Sequence, residues 1–365
     1  MQTAQKIPLT ILTGFLGSGK TTLLNRLLIE PALADTAVIV NEFGEIGIDH
    51  LLVEQADEGI IELSDGCLCC TIRGDLLDTL ASLIDRLQTG QIARLRHVII
   101  ETTGLADPAP ILQVLMGHPV MLQAFRINAV ITTVDSIHGM QTLDRYEESR
   151  RQAAFADRIV LTKMDMQPDT HEKETLKNRL AAINPSAEIL EAQFPLLNAT
   201  ILFANDAFHP GNKSADVRRW LAAEAVDAHS HKHHHHDINR HNDSIRAFVL
   251  RHEEPVPFQA IQGFINLLRA THGNKILRMK GIIETEEQRD RPLVIHGVQG
   301  LLHPPTRLNN WPDDKRETRL VIIADGLATE DISRLFDAFL NRPSIDTADH
   351  TAMTENPLAI PGGSF

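Results

Sequence analysis

The chain has 365 residues and a formal charge of −13, from 35 Lys plus Arg against 48 Asp plus Glu, with only 4% aromatic residues. That balance argues against a nucleic-acid partner, because phosphate backbones call for clustered basic side chains and unpaired bases for rings to stack on. No apolar run reaches the length of a membrane-spanning helix, so no membrane partner is expected, and the length suits two or three domains with ample core.

The first apolar run, Pro8 to Leu12, is of strand type, and Thr22 to Ile29 carries Leu23, Leu24, Leu27 and Leu28 at helical spacing. Between them lies Gly14-Phe15-Leu16-Gly17-Ser18-Gly19-Lys20-Thr21, a complete phosphate-binding loop in the strand-to-helix context it requires. Glycines at 14, 17 and 19 let the backbone curl so that successive N–H groups face phosphate oxygens, next to the positive end of a helix beginning near Lys20. Gly14, Gly17, Ser18, Gly19, Lys20, Thr21 and Thr22 form the expected nucleotide-contacting set, with Lys20 on the β and γ phosphates and Thr21 ligating Mg²⁺. A tight connection without a ligand is the bland reading, disfavoured by the full pattern.

A second strand is expected near 36–41, and beyond it Gly66-Cys67-Leu68-Cys69-Cys70 holds all three cysteines of the chain. Thiols this close cannot form a relaxed disulfide framework, and no signal peptide precedes them, so a reducing cytoplasm is expected. Adjacent thiolates suit a borderline cation such as Zn²⁺. Three thiols either borrow a ligand or keep a position open, and both suit release better than permanent retention. A redox thiol group and an inert turn are the competing readings.

His97 to Ile100 is an apolar strand that ends on Glu101, which places a carboxylate beside the water shell of a Mg²⁺ ion. Gly104 follows at the spacing where a backbone N–H can sense a γ-phosphate, so Lys20, Glu101 and Gly104 are the residues expected to carry hydrolysis. Asp107-Pro108 reads equally as a helix start. No Gln follows Gly104, so intrinsic turnover should be slow, and metal, a partner or a homodimer would supply the missing alignment of water. After a strand near 127–134, the run Arg158 to Leu161 delivers Thr162-Lys163-Met164-Asp165 to a strand end. There Asp165 can accept from guanine N1 and N2, which favours GTP over ATP. Thr162 stands where guanine-binding loops more often have Asn. A later guanine loop is expected after Glu188 to Leu190, near Ala192 and Gln193.

The stretch 227–243 has almost no apolar residues and contains His229, His231, His233, His234, His235, His236 and His241. It reads as a linker whose imidazoles bind Zn²⁺, Ni²⁺, Co²⁺ or Cu²⁺ weakly and with little discrimination; an affinity tag is the mundane alternative. Strands near 245–251, 275–284, 292–298 and 319–324, with helices near 257–271 and 329–340, make a smaller α+β unit. The expected organisation is a mostly parallel, doubly wound α/β domain over 1–226, the linker, the small domain over 244–340 and a flexible tail over 341–365.

In their order these motifs resemble the CobW-type metallochaperone GTPases, P-loop proteins related to those that load nickel into urease and hydrogenase, over about 320 of the 365 residues. The resemblance makes Asn41-Glu42-Phe43-Gly44-Glu45-Ile46-Gly47-Ile48-Asp49 a first switch segment and Glu101-Thr102-Thr103-Gly104 a second, although Glu101 stands where many relatives have Asp. It also implies that Glu42 lies near the thiols as a fourth ligand, against the plainer reading of a solvated carboxylate. A thiol loop between the two switches would tighten or loosen with nucleotide state. The function implied is a Mg²⁺-dependent GTPase that binds zinc at Cys67, Cys69 and Cys70 and transfers it to a client metalloprotein. Cobalt handling for cobalamin synthesis, a non-catalytic metal buffer or sensor, and a small-molecule kinase are the rivals.

Overall fold

The computed structural model describes residues 6–40, 61–63, 72–166, 169–203 and 244–340. Seven described strands form one parallel sheet: β1 (Ile7–Gly14), β2 (Thr36–Val40), β3 (Ile61–Leu63), β4 (His97–Glu101), β5 (Phe125–Asp135), β6 (Arg158–Thr162) and β7 (Glu188–Glu191), in the order β3-β2-β4-β1-β5-β6-β7. Strands covered on both faces need apolar side chains at successive positions, and Val98, Ile99 and Ile100, like Val130 and Ile131, are essentially inaccessible to water. The expected strand near 127–134 is longer in the fold, and β3 has no counterpart among the expected strands, because three residues carry too little pattern to read.

One sheet face packs Leu12, Val38, Ile99, Ile131 and Val160 against α1 (Lys20–Leu28) and α8 (Ala199–Phe203). The leucines expected at helical spacing in α1 are the four that it buries. The other face packs Leu9, Ile11, Val98, Ile100 and Val130 against α2 (Ile72–Gln88), α3 (Ala109–Gly117), α4 (Pro119–Ala124), α5 (Gly139–Arg145), α6 (Glu147–Phe155) and α7 (Thr170–Ile183). Strand order reverses around β1: the chain runs to one side through β2 and β3, returns at β4, and crosses to β5. The loops that follow β1, β4, β5 and β6 therefore gather at one edge, where open α/β sheets bind ligands.

The second unit is an antiparallel sheet of β8 (Ile245–His252), β9 (Ile276–Ile283), β10 (Leu293–Val298), β11 (Leu301–Leu302) and β13 (Thr318–Asp325), ordered β11-β10-β9-β13-β8, with β12 (Thr306–Arg307) paired to β10. Its α9 (Phe258–His272) and α10 (Thr329–Phe339) bury Ile261, Phe264, Leu268 and Phe336 against Phe248, Leu250, Leu320 and Ile322. Ile245, Leu277, Val298 and Ile323 instead join the apolar cluster of the first sheet, so the two units share a continuous core. A charged group sits inside that junction. The Asp157 carboxylate, just before β6, accepts from the Val130 N–H at 2.9 Å and pairs with Arg278 and with Lys280 (3.0 Å), both from β9. Burial alone pushes Asp157 up, but the two cations and the Val130 N–H outweigh it and hold the carboxyl well below the usual range.

Candidate nucleotide site

The phosphate loop begins where β1 ends. A Cβ at Gly14, whose φ is +146°, would lie 2.3 Å from Thr133 Oγ1 and 2.5 Å from Thr133 O, so only glycine lets the loop turn this close to β5. Ser18 closes the base of the turn: its buried hydroxyl lies 2.6 Å from Thr133 Oγ1, so this side chain braces the loop while its backbone forms the curve. Gly19 caps α1 with a left-handed φ of +87° and no side-chain hydrogen bond, which leaves the first-turn N–H groups of the helix for an anion. Lys20 Nζ reaches back along the loop to Gly14 O at 3.0 Å and Phe15 O at 3.4 Å. Thr22 stands exposed two positions further along the helix.

Register brings the second element beside the first. Leu12 pairs with Glu101, and Thr102 donates from N–H to Leu12 O (2.9 Å) and from its hydroxyl to Thr13 Oγ1 (2.8 Å), which locks the ends of β1 and β4 together. Thr21 Oγ1 consequently donates to Glu101 Oε1 at 2.6 Å, and Glu101 is 4% exposed. A hydroxyl and a carboxylate side by side next to a phosphate loop are the hard oxygen donors that fit Mg²⁺. Gly104 then abuts the loop crest: a Cβ there would meet both Leu16 N and Leu16 Cδ2 at 2.6 Å. Asp107 Oδ1 accepts from the Ala109 N–H at 2.8 Å, so it starts α3 as well as ending the Glu101–Asp107 segment.

The Thr162–Asp165 segment arrives from β6. Thr162 Oγ1 donates to Ser18 O at 2.7 Å, and Lys163, at φ +56°, pairs through Nζ with Asp135 Oδ2 at 2.7 Å. Burial pushes Asp135 up, but Lys163 and the N–H groups of Ile137 and His138 outweigh it and keep the carboxyl low, hence ionised beside the lysine. Asp165 is exposed at the sheet edge. The loop after β7 starts beside this segment, with the Ala192 N–H donating to Leu161 O at 2.8 Å, and Arg26 of α1 lies over the Phe194 ring, 4.1 Å from its centroid. A cavity of about 320 Å³ adjoins the loop, lined by Phe15, Gly17, Ser18, Asp135, His138 and Lys163 among others.

The phosphate loop, Glu101, Gly104 and Thr162–Asp165 thus converge at one edge of the first sheet. Glu42 and the rest of 41–49, Cys67, Cys69, Cys70 and the histidines of 227–243 lie outside the described residues, as do the expected domain limits near 226 and 243 and the tail from 341. Among the described residues no cluster of three or more His, Cys, Asp or Glu could hold a metal, and no helix is long and apolar enough to cross a membrane.

Sequence reasoning missed two residues of α6. The fully buried Gln152 donates through Nε2 to Gly104 O (3.1 Å) and Ala106 O (3.0 Å), and Arg151 Nε donates to Asp107 Oδ2 at 3.0 Å. Nothing in a mid-helix Arg-Gln pair marks such a role. Asp135 left a usable sign, since it ends an apolar strand as Glu101 does.

Comparison with known proteins agrees with this geometry. Residues 8–191 match the family model described as CobW/HypB/UreG, nucleotide-binding domain, and residues 245–340 match the cobalamin synthesis protein cobW C-terminal domain. The chain is 33% identical over 330 residues to the zinc chaperone YjiA of Escherichia coli, covering 90% of this chain and 98% of the relative. It is 35% identical over 239 residues to the zinc chaperone CobW of Pseudomonas aeruginosa, covering 57% and 62%. The crystal structure of Zn(II)-bound YjiA GTPase from E. coli superposes with a TM-score of 0.69 at 28% identity, covering 92% of this chain and 99% of that one. A phosphate loop braced by β5, a Thr–Glu pair beside it and a cobW-type second sheet on the same core therefore make this chain a member of the CobW/HypB/UreG family of nucleotide-binding proteins.

Proposed function

We propose that the protein is a Mg²⁺-dependent GTPase that binds zinc through Cys67, Cys69 and Cys70, with Glu42 as fourth ligand, and delivers it to client metalloproteins, hydrolysis setting the moment of release. The observation that carries the hydrolytic half is the Thr21–Glu101 pair, 2.6 Å apart at the mouth of the phosphate loop, with Gly104 against Leu16 beside it. Lys20 and the first N–H groups of α1 would hold the phosphates, Thr21 and Glu101 would hold Mg²⁺, and bound Mg²⁺ would neutralise charge on the β and γ oxygens. The Gly104 N–H would report whether the γ-phosphate is present. Asp165 would read guanine, with Lys163 and Asp135 fixing the approach to it. The zinc half is supported by three thiols in four residues and by relatives named zinc chaperones, YjiA and CobW. Three closely spaced thiols suit a reducing cytoplasm, and the histidines of 227–243 would collect metal for the thiol site.

The test is phosphate release by the whole chain with GTP or ATP, with and without Mg²⁺, beside Lys20→Ala. Mg²⁺-dependent release from GTP that Lys20→Ala abolishes is expected. Preference for ATP, with a phosphorylated small molecule as product, would overturn the reading in favour of a kinase. The model matched by residues 245–340 is named for cobalamin synthesis, which favours cobalt as the second cargo to compare with zinc.

A further inference from the structure

The loop after β4 is held from the rear by α6, and α6 is held by the C-terminal sheet. Gln152 donates to the carbonyls of Gly104 and Ala106. Arg151 Nε donates to Asp107 Oδ2, while Arg151 Nη1 reaches Asp325 Oδ2 at 3.3 Å and Glu147 Oε1 at 3.5 Å. Asp325 is the last residue of β13, pinned by its N–H to Lys275 O at 2.8 Å. At the C-terminal end of α6, Phe155 O accepts from Arg278 of β9. The far side of the loop is tied down in parallel: α3, which begins just beyond Asp107, pairs Gln113 with Gln299 in the turn between β10 and β11.

A planar guanidinium that engages Asp107 through Nε and Asp325 and Glu147 through Nη1 fixes the positions of all three at once, which an ammonium cannot do. Arg151 is only 20% exposed, so water screens these contacts weakly, and losing one carboxylate changes where the guanidinium sits for the other. A Cβ at Gly104 would lie 2.6 Å from Leu16 N, so the loop so held rests directly against the phosphate loop.

We propose that Arg151 and Gln152 are positioning residues that keep the Gly104–Asp107 loop against the phosphate loop, and that the C-terminal domain, acting through Asp325, sets how strongly the protein prefers a nucleotide carrying a γ-phosphate. This rests on the nucleotide reading above. A triphosphate reaches the loop and a diphosphate does not, so loosening the loop weakens the former alone. Coupling is reciprocal: a partner that draws Asp325 away from Arg151 lowers triphosphate affinity, and a bound triphosphate firms the attachment of the C-terminal sheet.

The test measures affinities of the full chain, with Mg²⁺, for fluorescent GDP and a fluorescent non-hydrolysable GTP analogue. Asp325→Asn keeps the size of the side chain and lies in the other domain, and Arg151→Lys keeps the charge but not the fork. Each should weaken the analogue about 5- to 10-fold, the lower part of the ordinary range of coupling between sites, while GDP changes less than about twofold. Asp107→Asn, which retains the acceptor for the Ala109 N–H, should add little to Asp325→Asn, because both act through one guanidinium. Equal weakening of both nucleotides, or no change in either, in Asp325→Asn and Arg151→Lys would overturn the inference alone. A wild-type chain that binds neither nucleotide would overturn the nucleotide reading and this inference with it.

Discussion

Thr162 Oγ1 donates to the carbonyl of Ser18 at 2.7 Å, joining residues 144 positions apart. The threonine that replaces the commoner asparagine at the head of the Thr-Lys-x-Asp segment does not leave the segment loose; its hydroxyl ties β6 to the phosphate loop, and Ser18 passes the connection on to Thr133 of β5. The phosphate loop and the segment proposed to read the base are thereby tied to one frame, which would lower the ordering cost of binding.

Thr162→Ala removes that tie and leaves the buried Ser18 carbonyl with one donor fewer. A loss of about 1 kcal/mol, or roughly fivefold weaker GDP binding, is expected. Thr162→Ser should recover most of it. Fluorescent GDP titration of the three proteins checks this.

Gly104→Ala places a methyl group 2.6 Å from Leu16 N, a contact the loop can relieve only by moving away. Phosphate release from GTP is expected to fall at least roughly tenfold, as when a preorganised donor is removed from a transition state. GDP affinity should stay within about threefold, since on the proposed reading a bound diphosphate would end short of the loop. Steady-state hydrolysis beside GDP titration separates the two.

Asp157→Asn strips the charge from a carboxylate that neutralises Arg278 and Lys280 inside the junction of the two units. Two buried cations without their anion are expected to cost about 3–5 kcal/mol of stability. Urea denaturation should show the loss. Replacing Asp157, Arg278 and Lys280 together by apolar residues of similar volume should cost far less than the single change.

Stability should also fall on mild acidification, through His97. Its ring is buried against Thr10 Oγ1 at 2.8 Å, and burial first, then the Arg126 charge, lowers its pKa from 6.5 to about 4. The folded chain therefore binds fewer protons than the unfolded chain between those values. The contribution is intact above about pH 6.5 and is lost progressively down to about pH 4, by about 3 kcal/mol in all. Asp157, whose carboxyl is also held low, adds its own loss below about pH 4. Urea midpoints at pH 7, 5.5 and 4.5 for wild type and His97→Gln check this; the variant should lose most of the slope in that window.

The fold was legible where a pattern repeats. The β1–α1 unit could be read because the apolar run, the glycines and the four leucines of α1 each obey a local rule, and β4 and β6 because strands buried on both faces carry apolar residues at successive central positions, Val98 to Ile100 and Ile159 to Leu161. What the sequence hid are contacts between distant positions. Gln152 is a polar residue on an ordinary helix until α6 packs behind Gly104, and Asp157 looks like a surface acid until β9 brings two cations to it. The short β3 escaped for want of length. The spacing of Gly104 marks it as a phosphate sensor, and the structure adds a steric reason for glycine there, the approach of Leu16.

Whether nucleotide state governs the proposed thiol site is read by competitive Zn²⁺ and Co²⁺ titration of the reduced chain with Mg²⁺ and either GDP or a non-hydrolysable GTP analogue. Residues 227–243 should be deleted so that their imidazoles do not compete, and the triple variant Cys67→Ala, Cys69→Ala, Cys70→Ala serves as the reference. A tight site is expected that vanishes in the triple variant, prefers Zn²⁺, and is at least roughly fivefold tighter with the analogue than with GDP, the lower end of ordinary coupling between sites. Equal zinc affinity with both nucleotides would contradict it, and would make the protein a metal buffer with a separate GTPase.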